Sequence, residues 1–294
     1  MMEVQPPIDG VAAVCDICNL NCSVCAVRSQ RRLAKDRVMP LDEYKQLLTN
    51  LPPQINLFTP TGFGEITLHP DFEAVIDETK KRFPNVALST NGTLIKDHLE
   101  TLLRVNWVTV SLDASNPEQY MRVRGVDLWS QVIDGIRMLI EANHPHLALN
   151  FVAREETIGD IPSFMDLAHG LGVKTVNLLP LVDTKTWRSY DGDLTTSVLY
   201  GRNKGLNVSV TNRGLGAFCI SFWVNFVVDI DWNVRYCCVI PPEPAGNLKE
   251  QSWSEIWYGE KMMRRRSQIA SKKPPKTCVD CPANKPDRYQ IIKA

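Results

Sequence analysis

No stretch of the 294-residue chain approaches the roughly 20 consecutive apolar residues that span a bilayer, which excludes a membrane-spanning helix. Neither sign of charge dominates, because 33 Lys and Arg balance 33 Asp and Glu. That balance carries no electrostatic footprint for nucleic acid, and the basic run Lys261 to Arg266 is short enough to be a solvated helix face. Low-complexity tracts and repeats of fixed period are missing too. The cysteine count is odd and no signal-peptide apolar core precedes Cys15, so a secreted disulfide framework does not fit and a cytoplasmic location is expected. At 44% hydrophobic, the chain can bury the core of one large domain plus a small one.

What the chain does have is nine cysteines in two groups. Cys18, Cys22 and Cys25 stand as C-x3-C-x2-C. Thiolates are soft ligands, and three on one short loop can bind three irons of a cubane while leaving the fourth open to a substrate or cofactor. Cys15 with Cys18, and Cys22 with Cys25, also make two C-x2-C pairs, so a four-thiolate zinc knuckle is an alternative. Structural zinc sites, however, usually separate their pairs by a far longer loop. The second group is Cys219, Cys237, Cys238, Cys278 and Cys281, a density that in a cytosolic chain points to metal rather than disulfides.

Between the groups, β-rich runs at Val11 to Cys15, Ile55 to Thr59, Val86 to Ser89, Trp107 to Leu112, Leu147 to Val152 and Val173 to Leu179 predict strands. Amphipathic stretches at Leu41 to Leu51, Phe72 to Phe83, Leu94 to Leu103, Trp129 to Ala142 and Ile161 to Leu171 predict the helices that join them. Such alternation implies a parallel sheet with crossover helices, whose ligands collect at the carboxyl ends of the strands.

Written out, Cys18-Asn-Leu-x-Cys22-x-x-Cys25 resembles the cluster loop of the radical S-adenosylmethionine (SAM) superfamily. The resemblance implies a partial (β/α)6 barrel, a SAM-binding 4Fe-4S cluster on Cys18, Cys22 and Cys25, and SAM chelated to the open iron. It also implies roles at the strand ends. Gly62, Phe63, Gly64 and Glu65 resemble the family's Gly-Gly-Glu segment, in which glycines let the backbone approach SAM and polar groups receive its ammonium, with Phe63 replacing a glycine. Ser89 and Asn91, then Ser111 and Asp113, resemble segments facing the ribose and methionine moieties. Arg124 would pair with the SAM carboxylate. Each has an ordinary alternative: turn chemistry for the glycines and Asn91, a helix cap for Asp113, surface pairing for Arg124. Val24 stands where the family often has an aromatic beside the adenine.

The C-terminal part, with Ala245-Gly-Asn-Leu followed by Trp253 to Trp257 and a basic helix, is similar to the SPASM extension or its shortened twitch form. By that resemblance an auxiliary 4Fe-4S cluster would sit on Cys219, Cys237, Cys278 and Cys281, with a zinc site as the alternative. The expected organisation is an α/β barrel over 1–212 and a small α+β twitch domain over 213–294. The pattern most resembles the twitch enzymes that act on small polar molecules, with 2-deoxy-scyllo-inosamine dehydrogenase the nearest pattern, although this chain is longer between barrel and twitch. A sugar- or cyclitol-like substrate, oxidised through the auxiliary cluster with an external reductant such as flavodoxin or ferredoxin, is the implied activity. Epimerisation, dehydration, decarboxylation and peptide modification are alternatives; in an epimerase, the two cysteines left over, Cys15 and Cys238, would be the hydrogen-donor candidates. The segment from Pro180 to Asn212, with Trp187, Tyr190, Tyr200 and Arg202, could bind a polyol, and surface loop chemistry explains it equally well.

Overall fold

β-rich runs and amphipathic helices must bury their apolar faces, and the computed structural model shows them doing so by strand–helix alternation. The structure describes residues 4–23, 25, 37–61, 63–154, 156–180, 191–210, 214–215, 218–237, 243–271 and 278. In chain order the first part runs β1 (Asp9–Ala13), α1 (Leu41–Asn50), β2 (Leu57–Thr61), α2 (Phe72–Arg82), β3 (Asn85–Thr90), α3 (Leu99–Leu103) and β4 (Trp107–Ser111). It continues through α4 (Pro117–Arg124), α5 (Trp129–Glu141), β5 (Leu147–Ala153), α6 (Ile161–Leu171), β6 (Thr175–Pro180), α7 (Asp191–Asn203) and β7 (Asn207–Val210). Each strand foreseen in the sequence forms within two residues of its expected bounds. The α/β partial barrel with a C-terminal extension is therefore the fold.

Two compact units are present: residues 1–17, 32–88 and 213–286, and residues 18–31, 89–212 and 287–294. In the first, β1 lies between two parallel partners, β2 and the late strand Asn225–Val228, which pairs Asp9 through Ala12. Asn225–Val228 continues antiparallel to Asn233–Arg235, and that strand to Gly246–Asn247. Gly10 permits this packing, since a Cβ there would lie 2.5 Å from the Phe226 ring. The helix Glu260–Ala270 carries the basic run, in which Lys261 and Arg264 are exposed as expected and Arg266 is the exception. Arg266 is 2% exposed, donates to the carbonyls of Phe222 (2.8 Å) and Trp257 (2.6 Å), and lies 4.2 Å from the Trp257 ring centroid. Its spacing from buried Met262 and Ile269 places it on the inward stripe, where the two backbone carbonyls and the Trp257 ring meet its charge.

In the second unit β4, β5, β6 and β7 are parallel in that order, around a core that includes Val110, Leu149, Phe151, Val176 and Leu178. Helix α5 buries Val132, Ile136 and Leu139, the period its sequence shows. The expected helix from Leu94 starts late, at Leu99: residues 93–98 form turns, entered through Asn91, which accepts from Thr93 N (2.9 Å). Helix α4 was not foreseen, although its signals are local: Asn116 caps it by accepting from Gln119 N, Pro117 opens it, and Gly125 closes it at φ +76°. No helix among the described residues is long and apolar enough to cross a membrane.

Candidate functional site

In the first unit the chain leaving β1 runs beside the segment after β2. Val14 N donates to Thr61 O (2.5 Å), Gly64 N to Cys15 O (3.2 Å), Glu65 N to Ile17 O (2.7 Å), and Phe63 N to the Asp16 carboxylate (3.2 Å). A Cβ on Gly64 would stand 2.0 Å from the Ile17 carbonyl oxygen. Glycine is thus required by the chain's own closure against residues 15–17, immediately before the first cysteine of the motif. Gly62 lies outside the described residues. Glu65 is 3% exposed and its Oε1 accepts from Thr67 N (3.2 Å) and Thr67 Oγ1 (2.8 Å), capping the short 3-10 turn Ile66–Leu68. The Cys15 thiol is fully buried and donates to the carbonyls of Glu65 (3.3 Å) and Ile17 (3.8 Å).

The second unit holds the three-cysteine loop. Cys18 is exposed, while Cys22 and Cys25 are half-buried. The loop is tied at two places. Asn19 donates to Thr93 Oγ1 (2.9 Å) and accepts from Asn91 (2.8 Å), joining it to the turn after β3. Ser23 N donates to Val123 O (2.8 Å), joining it to α4. Asn91 therefore uses its turn chemistry and also reaches the loop. The hydroxyls of Ser89 and Ser111 lie 3.4 Å apart at the ends of β3 and β4.

Beside this loop is a buried charge pair. Asp113, 3% exposed and at φ +56°, faces Arg124 with Oδ2 to Nη2 at 2.5 Å. Its Oδ1 accepts from Val152 N (2.6 Å), and Arg124 Nη1 reaches the sulfur of Cys22 at 3.4 Å. Burial raises the Asp113 carboxyl above its ordinary value, with Arg124 and the Val152 amide opposing. Burial alone would lower Arg124, but Asp113 and Cys22 outweigh it and hold the guanidinium above its ordinary value. Neither ordinary alternative describes these residues: Asn116 caps α4 in place of Asp113, and Arg124 is 5% exposed instead of at the surface. Sequence reasoning passed over Asn19, Ser23 and Thr93; only Asn19, inside the Cys-Asn-Leu run, carries a local signal.

Of the second cysteine group, Cys219 is buried while Cys237 and Cys278 are half-buried. Cys238 and Cys281 lie outside the described residues, as do Val24, Trp187 and Tyr190. Arg265 sits 5.0 Å from the ring of Tyr236, the residue before Cys237. Tyr200, a candidate substrate contact, donates instead to Asp166 on α6 (2.9 Å), with Lys204 4.9 Å from its ring.

Among the described residues no three His, Cys, Asp or Glu side chains converge as a single-ion site would require. A cubane asks something different, a separate iron for each thiolate, and the donor set Cys18, Cys22 and Cys25 on one loop suits it.

Residues 13–168 match the radical SAM superfamily, and residues 219–282 match SPASM, an iron-sulfur cluster-binding domain. The probable GTP 3',8-cyclase of Saccharolobus islandicus (strain Y.N.15.51 / Yellowstone #2) is 28% identical over 172 residues, 56% of this chain and 54% of that protein. The chain thus spans about half the length of the curated relatives it matches. Streptococcus suis SuiB bound to precursor peptide SuiA has a TM-score of 0.70 at 15% identity, covering 95% of this chain and 70% of that one. BtrN in complex with AdoMet and 2-DOIA has a TM-score of 0.56 at 16% identity, covering 96% and 94%. At such identities the fold is what is shared.

Proposed function

The chain belongs to the radical SAM superfamily, and from that premise we propose that it oxidises a small polar, sugar- or cyclitol-like substrate by two electrons. SAM and 4Fe-4S chemistry come with the family, and auxiliary iron-sulfur binding comes with the SPASM domain. The observation that carries the oxidative reading is the SPASM match itself, whose span from 219 to 282 contains Cys219, Cys237, Cys278 and Cys281. Four thiolates would leave a second cluster no open iron for a substrate, so its use is to accept an electron.

When bound, SAM and the first cluster supply a 5′-deoxyadenosyl radical able to take a hydrogen atom from an unactivated carbon. The chain's own part is to hold and orient. Cys18, Cys22 and Cys25 would hold the first cluster on a loop braced by Asn19 and Ser23. Glu65 carries charge for an ammonium group and Ser89 and Ser111 carry hydroxyls for a ribose, while Asn91 serves by tying its amide to Asn19 and Thr93 and so fixing the loop. The Cys15 thiol, donating to two backbone carbonyls, is held as a packing residue, which supports oxidation over return of hydrogen from sulfur.

The test is product analysis with a panel of polyols and aminocyclitols, anaerobically and with a one-electron reductant. Oxidation gives a product lighter by two hydrogens, one 5′-deoxyadenosine for each, and retained turnover in Cys15→Ala and Cys238→Ala. An isomeric product carrying solvent deuterium that disappears with either substitution would establish epimerisation instead, because sulfur-bound hydrogen exchanges with water.

A further inference from the structure

Arg124 has the chemistry to bind a cofactor carboxylate, yet the structure engages its guanidinium inside the second unit. Nε points at Leu112 O (3.4 Å), Nη2 pairs with Asp113 (2.5 Å), and Nη1 is directed at the Cys22 sulfur (3.4 Å). Asp113 is itself fixed by the Val152 amide, so the fork cannot swing without breaking two buried contacts. The charge pair is dry, with Asp113 3% and Arg124 5% exposed, while Cys22 is half-buried. In a low-dielectric site the positive end of the Arg124–Asp113 dipole is nearest the sulfur.

We infer that Arg124 is a positioning residue for the first cluster, donating an N–H to the Cys22 thiolate and raising the reduction potential of the iron it would hold. Hydrogen bonds to ligand sulfurs and local charge set cluster potentials, since both stabilise the more negative, reduced form. The inference rests on the family-based assignment of Cys22 as a ligand. It places Asp113 as the group that aims the guanidinium at the cluster.

The experiment is a redox titration of the anaerobically reconstituted full chain, followed by electron paramagnetic resonance in the absence of SAM. A role in binding SAM cannot move that reading. The first cluster's signal is identified separately, as the one SAM perturbs. Three proteins are compared: the parent, Arg124→Lys, and the double variant Asp113→Asn/Arg124→Met, which removes donor and counter-charge together. At a fixed poise the double variant should show at least a tenfold lower reduced-to-oxidised ratio, about 59 mV for one electron, with Arg124→Lys between. Equal ratios in all three, with the first cluster's iron intact, overturn the inference. Absence of any SAM-perturbed signal in the parent overturns the ligand assignment, a distinct failure. Should the variants not fold, the parent labelled with guanidino-15N arginine decides. A 15N coupling to the reduced first cluster is expected, and its absence refutes the contact.

Discussion

Asp113→Asn should be among the most destabilising single-atom changes in the second unit. The pair it breaks is dry, with side-chain exposures of 7% for Arg124 and 2% for Asp113, and close, at 2.5 Å. Removing one partner leaves an uncompensated buried guanidinium, a loss of about 3–5 kcal/mol. Asparagine isolates that charge. It tolerates the left-handed φ of +56° and keeps an oxygen for Val152 N, so neither backbone strain nor an orphaned amide enters. Asp113→Ala adds both, about 1–2 kcal/mol for the left-handed conformation and about 1–3 kcal/mol for the unsatisfied amide. With a urea slope of about 3 kcal/mol/M, the Asn variant's midpoint should fall by about 1–1.7 M in metal-free protein. Adding Arg124→Met should recover most of the loss, since apolar replacement of a buried pair is often neutral. A midpoint within about 0.3 M of the parent, or a double variant no better than the single, would refute the claim that a desolvated charge pair is at stake.

Gly64→Ala should abolish soluble folded protein or force residues 15–17 apart, because the new Cβ would meet the Ile17 oxygen at 2.0 Å; a parent-like melting temperature with normal iron uptake would contradict this. Glu65→Gln keeps an oxygen for Thr67 N and loses only charge, so SAM binding should weaken about tenfold, the value of a charge-assisted bond, while thermal stability stays near the parent's. Unchanged SAM affinity on cluster-loaded protein would remove Glu65 from the cofactor site. His69 is lowered from 6.5 by burial, its ring held between Met39 O (2.9 Å) and Asp71 N (3.0 Å). Its unfolded form binds a proton first, so stability is complete above about 6.5 and is lost as pH falls toward the depressed folded value. Melting temperatures at about pH 7.5 and 5.5 should therefore differ less in His69→Gln than in the parent, and an identical difference would clear His69 of the acid sensitivity.

Strand and helix positions were legible because they are near-neighbour properties: Leu147 to Val152 is a short β-rich run, Trp129 to Ala142 repeats at helical spacing, and each formed almost where expected. The cysteine loop was legible for the same reason, since three thiolates within eight residues constrain one another before any folding. Local signals also existed where they were passed over, in the Asn116, Pro117 and Gly125 that bound α4. What the chain could not disclose on its own is who meets whom in the dry interior. Nothing near Arg124 in sequence says that its guanidinium reaches Cys22, 102 residues away, or that Gly64 must be bare because Ile17 passes it. Arg266 reads as one more surface cation until Phe222 and Trp257 close over it. Asn225–Val228 shows no local sign of lying beside β1. Spacing determines which groups can act together, but the energy of a charge or a hydrogen bond depends on the water removed around it, and only tertiary packing decides which groups are dried out side by side.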